Sequence, residues 1–172
     1  IKYGKFIMNG GAIVSCKASD DGAAVDIGSG CTFTLNGGTI SDCKAEDDGG
    51  AVFIKQSGFF VMNGGTIENC SAYNNGGAIN IYENGSFTMT GGTIKDCKVD
   101  LGGLGNAVYG KNNTAIVSIS GGTIENCGAS PLSFDIFTVS FDSDGGTPVA
   151  EQKVLNAPVV RPADPEKAGY IF

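Results

Sequence analysis

The sequence predicts an all-β chain, a right-handed parallel β-helix (solenoid) of about five rungs, followed by a smaller second module. Two observations carry that prediction. Glycine pairs stand at Gly10-Gly11, Gly37-Gly38, Gly64-Gly65, Gly91-Gly92 and Gly121-Gly122, and cysteines at Cys16, Cys43, Cys70, Cys97 and Cys127; both series step by 27, 27, 27 and 30 residues. Two features sharing one period over five copies mark a repeat architecture. Within each copy, apolar and polar residues alternate with period two, as in Phe33-Thr34-Leu35 and Val52-Phe53-Ile54, which is the periodicity of a strand.

Aligning the copies gives columns. Phe6, Phe33, Phe60, Phe87 and Val117 form one; Met8, Leu35, Met62, Met89 and Ile119 form the next. Ile13, Ile40, Ile67, Ile94 and Ile124 follow the glycine pairs, then the cysteines, then Ala18, Ala45, Ala72, Val99 and Ala129. Later in each copy come Val25, Val52, Ile79 and Val108, with Ile27, Ile54 and Ile81 two residues on. Each copy thus reads as about three short strands separated by glycine or Asx turns. One copy alone cannot bury its apolar face, whereas copies stacked in register bury every column in one core. A leucine-rich horseshoe needs a regular leucine pattern, which is absent. A parallel crossover is normally right-handed.

Composition narrows the function. With 18 acidic and 11 basic residues the net charge is −7, and Arg161 is the only arginine. A phosphate backbone needs a basic face, so no nucleic-acid partner is expected, and anionic membrane surfaces are disfavoured likewise. No run approaches the length of a membrane span, so no membrane insertion is expected in this segment. Histidine is absent, which removes the commonest general base and metal ligand. The chain starts at Ile1 without a charged-then-apolar leader, so a targeting signal is expected outside it.

Two columns invite a chemical reading. The structural cysteine column, Cys16, Cys43, Cys70, Cys97 and Cys127, is expected to be a buried line of free thiols acting as small hydrophobes. One cysteine per rung gives a straight ladder, not a tetrahedral cluster, and parallel side chains strain a disulfide. Cys31 falls in a turn column with Gly4, Gly58 and Gly85, and is expected to be exposed and reactive. The second column is acidic. Asp20, Asp21, Asp47 and Asp48, continued by Asn74-Asn75, stack at one-rung spacing before Gly22, Gly49 and Gly76. Carboxylates so placed repel unless a cation bridges them, and an oxygen-only set suits Ca²⁺. The alternative is a solvated Asx turn. No other cofactor is expected.

The same carboxylates could serve a glycosidase, which needs two of them flanking a bond. The rungs are nearly identical, however, and the one that departs, through an insertion around Leu101-Gly102-Gly103-Leu104-Gly105, supplies no acid, base or nucleophile beyond Asp100. No catalytic residue is therefore assigned. The threonine column Thr39, Thr66, Thr93 and Thr123 reads as a hydrogen-bonded ladder. Its neighbouring columns are interrupted, unlike the paired threonine columns of an ice-binding face.

The regular pattern stops after Ala129, and Pro131 marks the break. The organisation expected is a solenoid over 1–130, a cap or linker over 131–136, and a second module over 137–172, with Leu132, Phe134, Ile136, Val139 and Phe141 offering apolar cover. Thr138–Phe141 reads as a strand, Asp142–Gly146 as a turn, Gln152–Val154 as a second strand, and Asp164-Pro165-Glu166-Lys167 as a helical turn with its cap.

The Phe-x-Met-x-Gly-Gly-Thr-Ile-x-x-Cys pattern and the later Gly49-Gly50-Ala51-Val52 and Gly76-Gly77-Ala78-Ile79 resemble the pectin-lyase-like right-handed β-helix superfamily, in particular its repeat-rich surface and adhesin-like members. The two tetrads are also similar to those of chlamydial polymorphic outer-membrane proteins. Val139–Val149 and Pro162–Phe172 resemble the Listeria–Bacteroides, or internalin B-type, repeat. That resemblance implies an incomplete β-grasp-like module, and a secreted, multi-domain bacterial surface protein in which such repeats are spacers or adhesive units. The expectation is a non-catalytic extracellular segment, stalk or adhesin, whose partner is a host or neighbouring-cell surface protein or glycan. Exposed aromatics such as Phe53, Phe59, Tyr73, Tyr82 or Tyr109 should mark its adhesive wall. The alternative is a carbohydrate-binding or polysaccharide-degrading β-helix.

Overall fold

A computed structural model describes residues 1–112 and 114–134, together with the strand backbone of 137–139 and 152–154. The first rung holds β1 (Lys5–Met8), β2 (Ala12–Val14), β3 (Lys17–Ala18) and β4 (Val25–Ile27). The second repeats them as β5 (Thr32–Leu35), β6 (Thr39–Ser41), β7 (Lys44–Ala45) and β8 (Val52–Ile54). The third has β9 (Phe59–Met62), β10 (Thr66–Glu68), β11 (Ser71–Ala72) and β12 (Ile79–Ile81); the fourth has β13 (Ser86–Met89), β14 (Thr93–Lys95), β15 (Lys98–Val99) and β16 (Val108–Gly110). The fifth has β17 (Ile116–Ile119), β18 (Thr123–Glu125) and β19 (Leu132–Phe134).

Like strands pair in parallel and build four sheets. In order from first to fourth they are β1-β5-β9-β13-β17, β18-β14-β10-β6-β2, β15-β11-β7-β3 and β19-β16-β12-β8-β4. Each complete rung therefore has four strands, not three. The extra one is the two-residue strand after the cysteine. Its cause is local: Ser15, Asp42, Asn69 and Asp96 adopt left-handed backbone with φ of 57°, 57°, 54° and 54°, which short Asx and Ser side chains tolerate. That residue turns the chain a corner between the second and third sheets.

Register follows the repeat. Phe6 pairs with Phe33, Phe33 with Phe60 and Phe60 with Phe87, and the rings stack with centroids 5.2, 4.9 and 5.2 Å apart. The inner rungs bury Phe33, Leu35, Ile40, Ile54, Phe60, Met62, Ile67, Ile79, Ile81, Phe87, Met89 and Ile94 essentially completely. Each such side chain contributes about 1.5–3 kcal/mol of transfer free energy. In the first rung Phe6 is 39% exposed. Gly38 shows why the glycine pairs recur: its φ is +95°, and a Cβ there would sit 2.5 Å from the Gly11 carbonyl oxygen one rung above.

Beside the glycine pairs, outside the core, Asn36 donates to Asn9 at 2.8 Å, Asn63 to Asn36 at 2.9 Å and the Thr90 hydroxyl to Asn63 at 2.9 Å. This side-chain ladder repeats the strand register on the surface. The insertion expected in the fourth rung is split. Asn80 pairs with Tyr109, a step of 29 residues, and Ser86 with Ile116, a step of 30. Two of the extra residues are thus taken up in the Leu101–Gly105 turn and one beyond β16, where each turn can bulge without disturbing a strand.

Residues 131–136, expected as cap or linker, include β19, which pairs with β16 and continues the fourth sheet. Pro131 immediately precedes that strand, and its carbonyl accepts from Ala107 and Val108 at 2.8 and 2.9 Å. A proline is tolerated there because it stands just before a strand that is at the edge of its sheet among the described residues. Beyond it, β20 (Phe137–Val139) and β21 (Gln152–Val154) pair antiparallel. The turn expected over Asp142–Gly146, the apolar positions Ile136 and Phe141, and the helical turn at Asp164–Lys167 lie outside the described residues. No helix among the described residues is long and apolar enough to cross a membrane.

Candidate binding groove beside the fourth sheet

The turn from the third sheet to the fourth carries the acidic pairs, and two ladders run through it. In one, the Asp21 carboxylate accepts the Asp48 N–H at 3.1 Å, Asp48 accepts the Asn75 N–H at 2.9 Å, and the Asn75 side-chain oxygen accepts the Leu104 N–H at 3.0 Å. In the other, the Asn74 amide donates to Asp47. Gly49 follows with φ of +67°, where a Cβ would lie 2.5 Å from the Val52 carbonyl oxygen and 3.2 Å from the Phe53 Cα. The turn therefore folds back against β8, which a side chain at this position would prevent.

That fold-back covers a row that strand alternation points away from the core. Val52 and Ile54, Ile79 and Ile81, and Val108 face inward and belong to the core. Asp26, Phe53, Asn80, Tyr109 and Ser133 pair in sequence on the opposite face. Phe53 is 6% exposed, Tyr109 8%, and Asn80 and Ser133 0%. Among the described residues, neither amide atom of Asn80 has a hydrogen-bond partner, nor do the Ser133 hydroxyl and one Asp26 carboxylate oxygen. Such orphans are rare in folded proteins and costly.

Over Phe53 opens a cavity of about 380 Å³ lined by Asp21, Ser29, Phe53, Lys55, Gln56 and Tyr82. The Phe53 and Tyr82 rings are 6.3 Å apart and tilted by 42°, and the Lys111 ammonium lies 4.6 Å from the Tyr82 ring centre. Lys55 pairs with Asp26 at 2.9 Å. The cavity thus offers an aromatic wall, a carboxylate, an amide, a hydroxyl and an ammonium, the combination that orients a small polar ligand in an apolar pocket.

Burial pushes the Asp21 carboxyl up to about 6, opposed by the Asp48 N–H and helped by the charges of Asp20, Asp48 and Asp47. Asp48 is raised as well, burial outweighing its two hydrogen bonds from Asn75. Asp20, Asp21 and Asp47 each bring a carboxylate oxygen within 4.8 Å of the other two. Asp48, expected as a fourth ligand, is not in that group; its Oδ1 accepts from Asn75. Three carboxylates could hold a hard divalent cation, with water completing the shell.

Other expectations change. Cys31 is 3% exposed and belongs to the core; its thiol reaches the Ser29 carbonyl at 3.7 Å. The glycines that share its column suggest a solvent-facing position, but the inward direction is set by the Gly28–Cys31 turn, closed by a 3.0 Å hydrogen bond. Phe53 and Tyr109 are buried beneath the Asx-Gly turns, so they do not form an adhesive wall, whereas Phe59 at 46% and Tyr73 at 41% are exposed. Among the cysteines of the column, Cys43, Cys70, Cys97 and Cys127 are buried and Cys16 is half-buried, all as free thiols. Sequence reasoning missed Ser29, Lys55, Gln56 and the orphaned Asn80. The signal available was Asn80, a polar residue placed between Phe53 and Tyr109 in a strand column.

No curated protein and no solved structure matches the chain. Residues 137–172 match the Listeria-Bacteroides repeat domain. Residues 2–144 match the right handed beta helix region; the parallel, in-register sheets have that architecture, and the chain belongs to the right handed beta helix family.

Proposed function

We propose that the chain is a non-catalytic segment of a bacterial cell-surface protein, an adhesin-type module or stalk, and that the groove beside the fourth sheet is its ligand-facing surface. The observation that carries this reading is the cavity over Phe53, where Tyr82, Asp21, Lys55 and Gln56 converge beside a regular wall. The two matched domains, a β-helix followed by a Listeria-Bacteroides repeat, support an extracellular or surface setting. The non-catalytic reading rests on the site's chemistry. Among the described residues Asp21 is the acid that lines the cavity; Asp20 and Asp47 cluster with it in the turn without lining the cavity, and the nearby Asp26 is paired with Lys55, so no second free carboxylate faces a bound bond across the cavity.

The second reading, a carbohydrate-binding or polysaccharide-degrading β-helix, is favoured by the same aromatic and polar lining, since a sugar ring presents an apolar face and a polar rim. A glycan array with the full chain, run alongside a reducing-end assay, separates the readings. Retention of glycans, lost on Tyr82→Ala and without release of reducing ends, supports a binding module. Product release assigns a degrading enzyme instead. Absence of glycan binding, with retention of an extracellular protein ligand that depends on Tyr82, leaves the adhesin reading alone. Loss of every ligand class removes the groove from consideration.

A further inference from the structure

The cysteine column has no part in the groove. Its members are in register: the Lys44 N–H donates to the Cys16 carbonyl at 2.9 Å, Ser71 to Cys43 at 2.9 Å and Lys98 to Cys70 at 3.1 Å. Each cysteine follows a left-handed residue, Ser15, Asp42, Asn69, Asp96 or Asn126, so the thiols of Cys43, Cys70, Cys97 and Cys127 enter the core in the same pose. The sulfurs of Cys43, Cys70, Cys97 and Cys127 lie 3.2, 3.3, 3.2 and 3.2 Å from the carbonyl oxygen two residues earlier. These four are at most 2% exposed. Cys16, in the first rung, is half-buried.

A straight line of sulfurs cannot surround a tetrahedral ion, which needs four ligands around one point. It is the geometry of an ion that takes two ligands in line. We propose that the column is a binding site for soft monovalent d¹⁰ metal ions, Cu⁺ or Ag⁺, each held between two successive cysteine sulfurs. Thiolates select soft ions over hard ones. In-register strands put successive sulfurs about 4.8 Å apart, a separation that one ion with two collinear sulfur ligands can bridge.

The exchange needs no oxidant. One thiol loses its proton to solvent, its S–H bond is replaced by a sulfur–metal bond, and the neighbouring thiol, still protonated, donates a lone pair to the same ion. The resulting unit is neutral, so loading leaves no net charge in the core, where an isolated charge would be costly. Five thiols in line accommodate two such ions without sharing a sulfur.

The test is an anaerobic titration of the reduced full chain with Ag⁺, read by native mass spectrometry, proton release and the ultraviolet thiolate-to-metal band. The expected result is two ions per chain, one proton released per ion, and a raised thermal midpoint. Cys43→Ala/Cys97→Ala leaves no two column cysteines adjacent and should abolish in-line uptake, while Cys31→Ala should leave it unchanged. Should the double variant fail to fold, Cys97→Ala alone leaves one adjacent set, Cys16-Cys43-Cys70, and should halve the uptake. No uptake by the folded, reduced chain, uptake unchanged in these variants, or a column isolated as disulfides would each overturn the proposal.

Discussion

The Asp48 carboxylate accepts the backbone N–H of Asn75, one rung below, at 2.9 Å, and the Asn75 side chain adds a second bond to the same oxygen at 3.2 Å. A side chain takes the place of a strand carbonyl, carrying the register of the solenoid through a turn that has no strand. Asp48→Ala leaves that N–H without its partner, and is expected to lower unfolding stability by about 1–3 kcal/mol. Asp48→Asn keeps an acceptor oxygen and should recover most of the loss. Urea unfolding of both variants checks this; equal losses would show that charge, not the acceptor, matters.

The acidic turn should make stability depend on pH. The Asp21 carboxyl is raised from 3.8 to about 6, so the folded chain holds this proton more tightly than the unfolded chain. The sign is that of a raised acid: the penalty is absent below pH 3.8, grows through the interval, and is complete above about pH 6. Because the side chain is partly solvated, screening reduces the effect to about 1 kcal/mol, or about 2–4 °C in thermal midpoint for a chain of this size. Asp48 is shifted in the same direction and Asp100, paired with Lys44 and Lys98, in the opposite one. The informative comparison is therefore wild type against Asp21→Asn across the acidic range up to neutrality. The variant should gain stability at neutral pH and lose part of the slope; an unchanged slope refutes the assignment.

Ca²⁺ offers a second handle on the same turn. If the Asp20, Asp21 and Asp47 carboxylates hold a cation, millimolar Ca²⁺ should raise the thermal midpoint at neutral pH and much less in mild acid, where protons compete. Asp47→Asn should remove the gain. Calorimetric titration showing no heat and no midpoint shift would leave these residues as a solvated ladder.

The phenylalanine stack separates interior from end. Phe60→Ala, deep in the stack at 1% exposure, should cost about 3–5 kcal/mol. Phe6→Ala in the first rung removes a ring already 39% exposed and should cost clearly less. Equal costs in denaturant melts would mean that the first rung is covered in solution.

Thiol access tests the burial of Cys31 directly. In the native chain a maleimide should label Cys16 first, since it is the half-buried thiol, and Cys31 only on the timescale of local opening. Peptide mapping of a short labelling pulse distinguishes them, and rapid modification of Cys31 would place its thiol at the surface instead of in the core.

The sequence by itself determined the repeat, the period, the strand character and the inward columns. In a solenoid each rung contacts its neighbours, so like residues must stack, and a one-dimensional pattern contains the three-dimensional register. Phe33 over Phe60 and Ile40 over Ile67 were legible for that reason, as was the column of cysteines. The tertiary structure alone decided what happens at the turns. A left-handed Asp42 or Asn69 creates a fourth strand, a three-residue insertion divides between two turns, and the Gly28–Cys31 turn sends one thiol inward. The groove belongs to this second class. Phe53, Asn80 and Tyr109 stand on the outward face of their strands by alternation, and are buried because the turns at Gly49, Gly76 and Gly105 fold back over them. Alternation is a property of one strand, whereas that covering depends on how two turns of the coil lie against a sheet, which no single rung encodes.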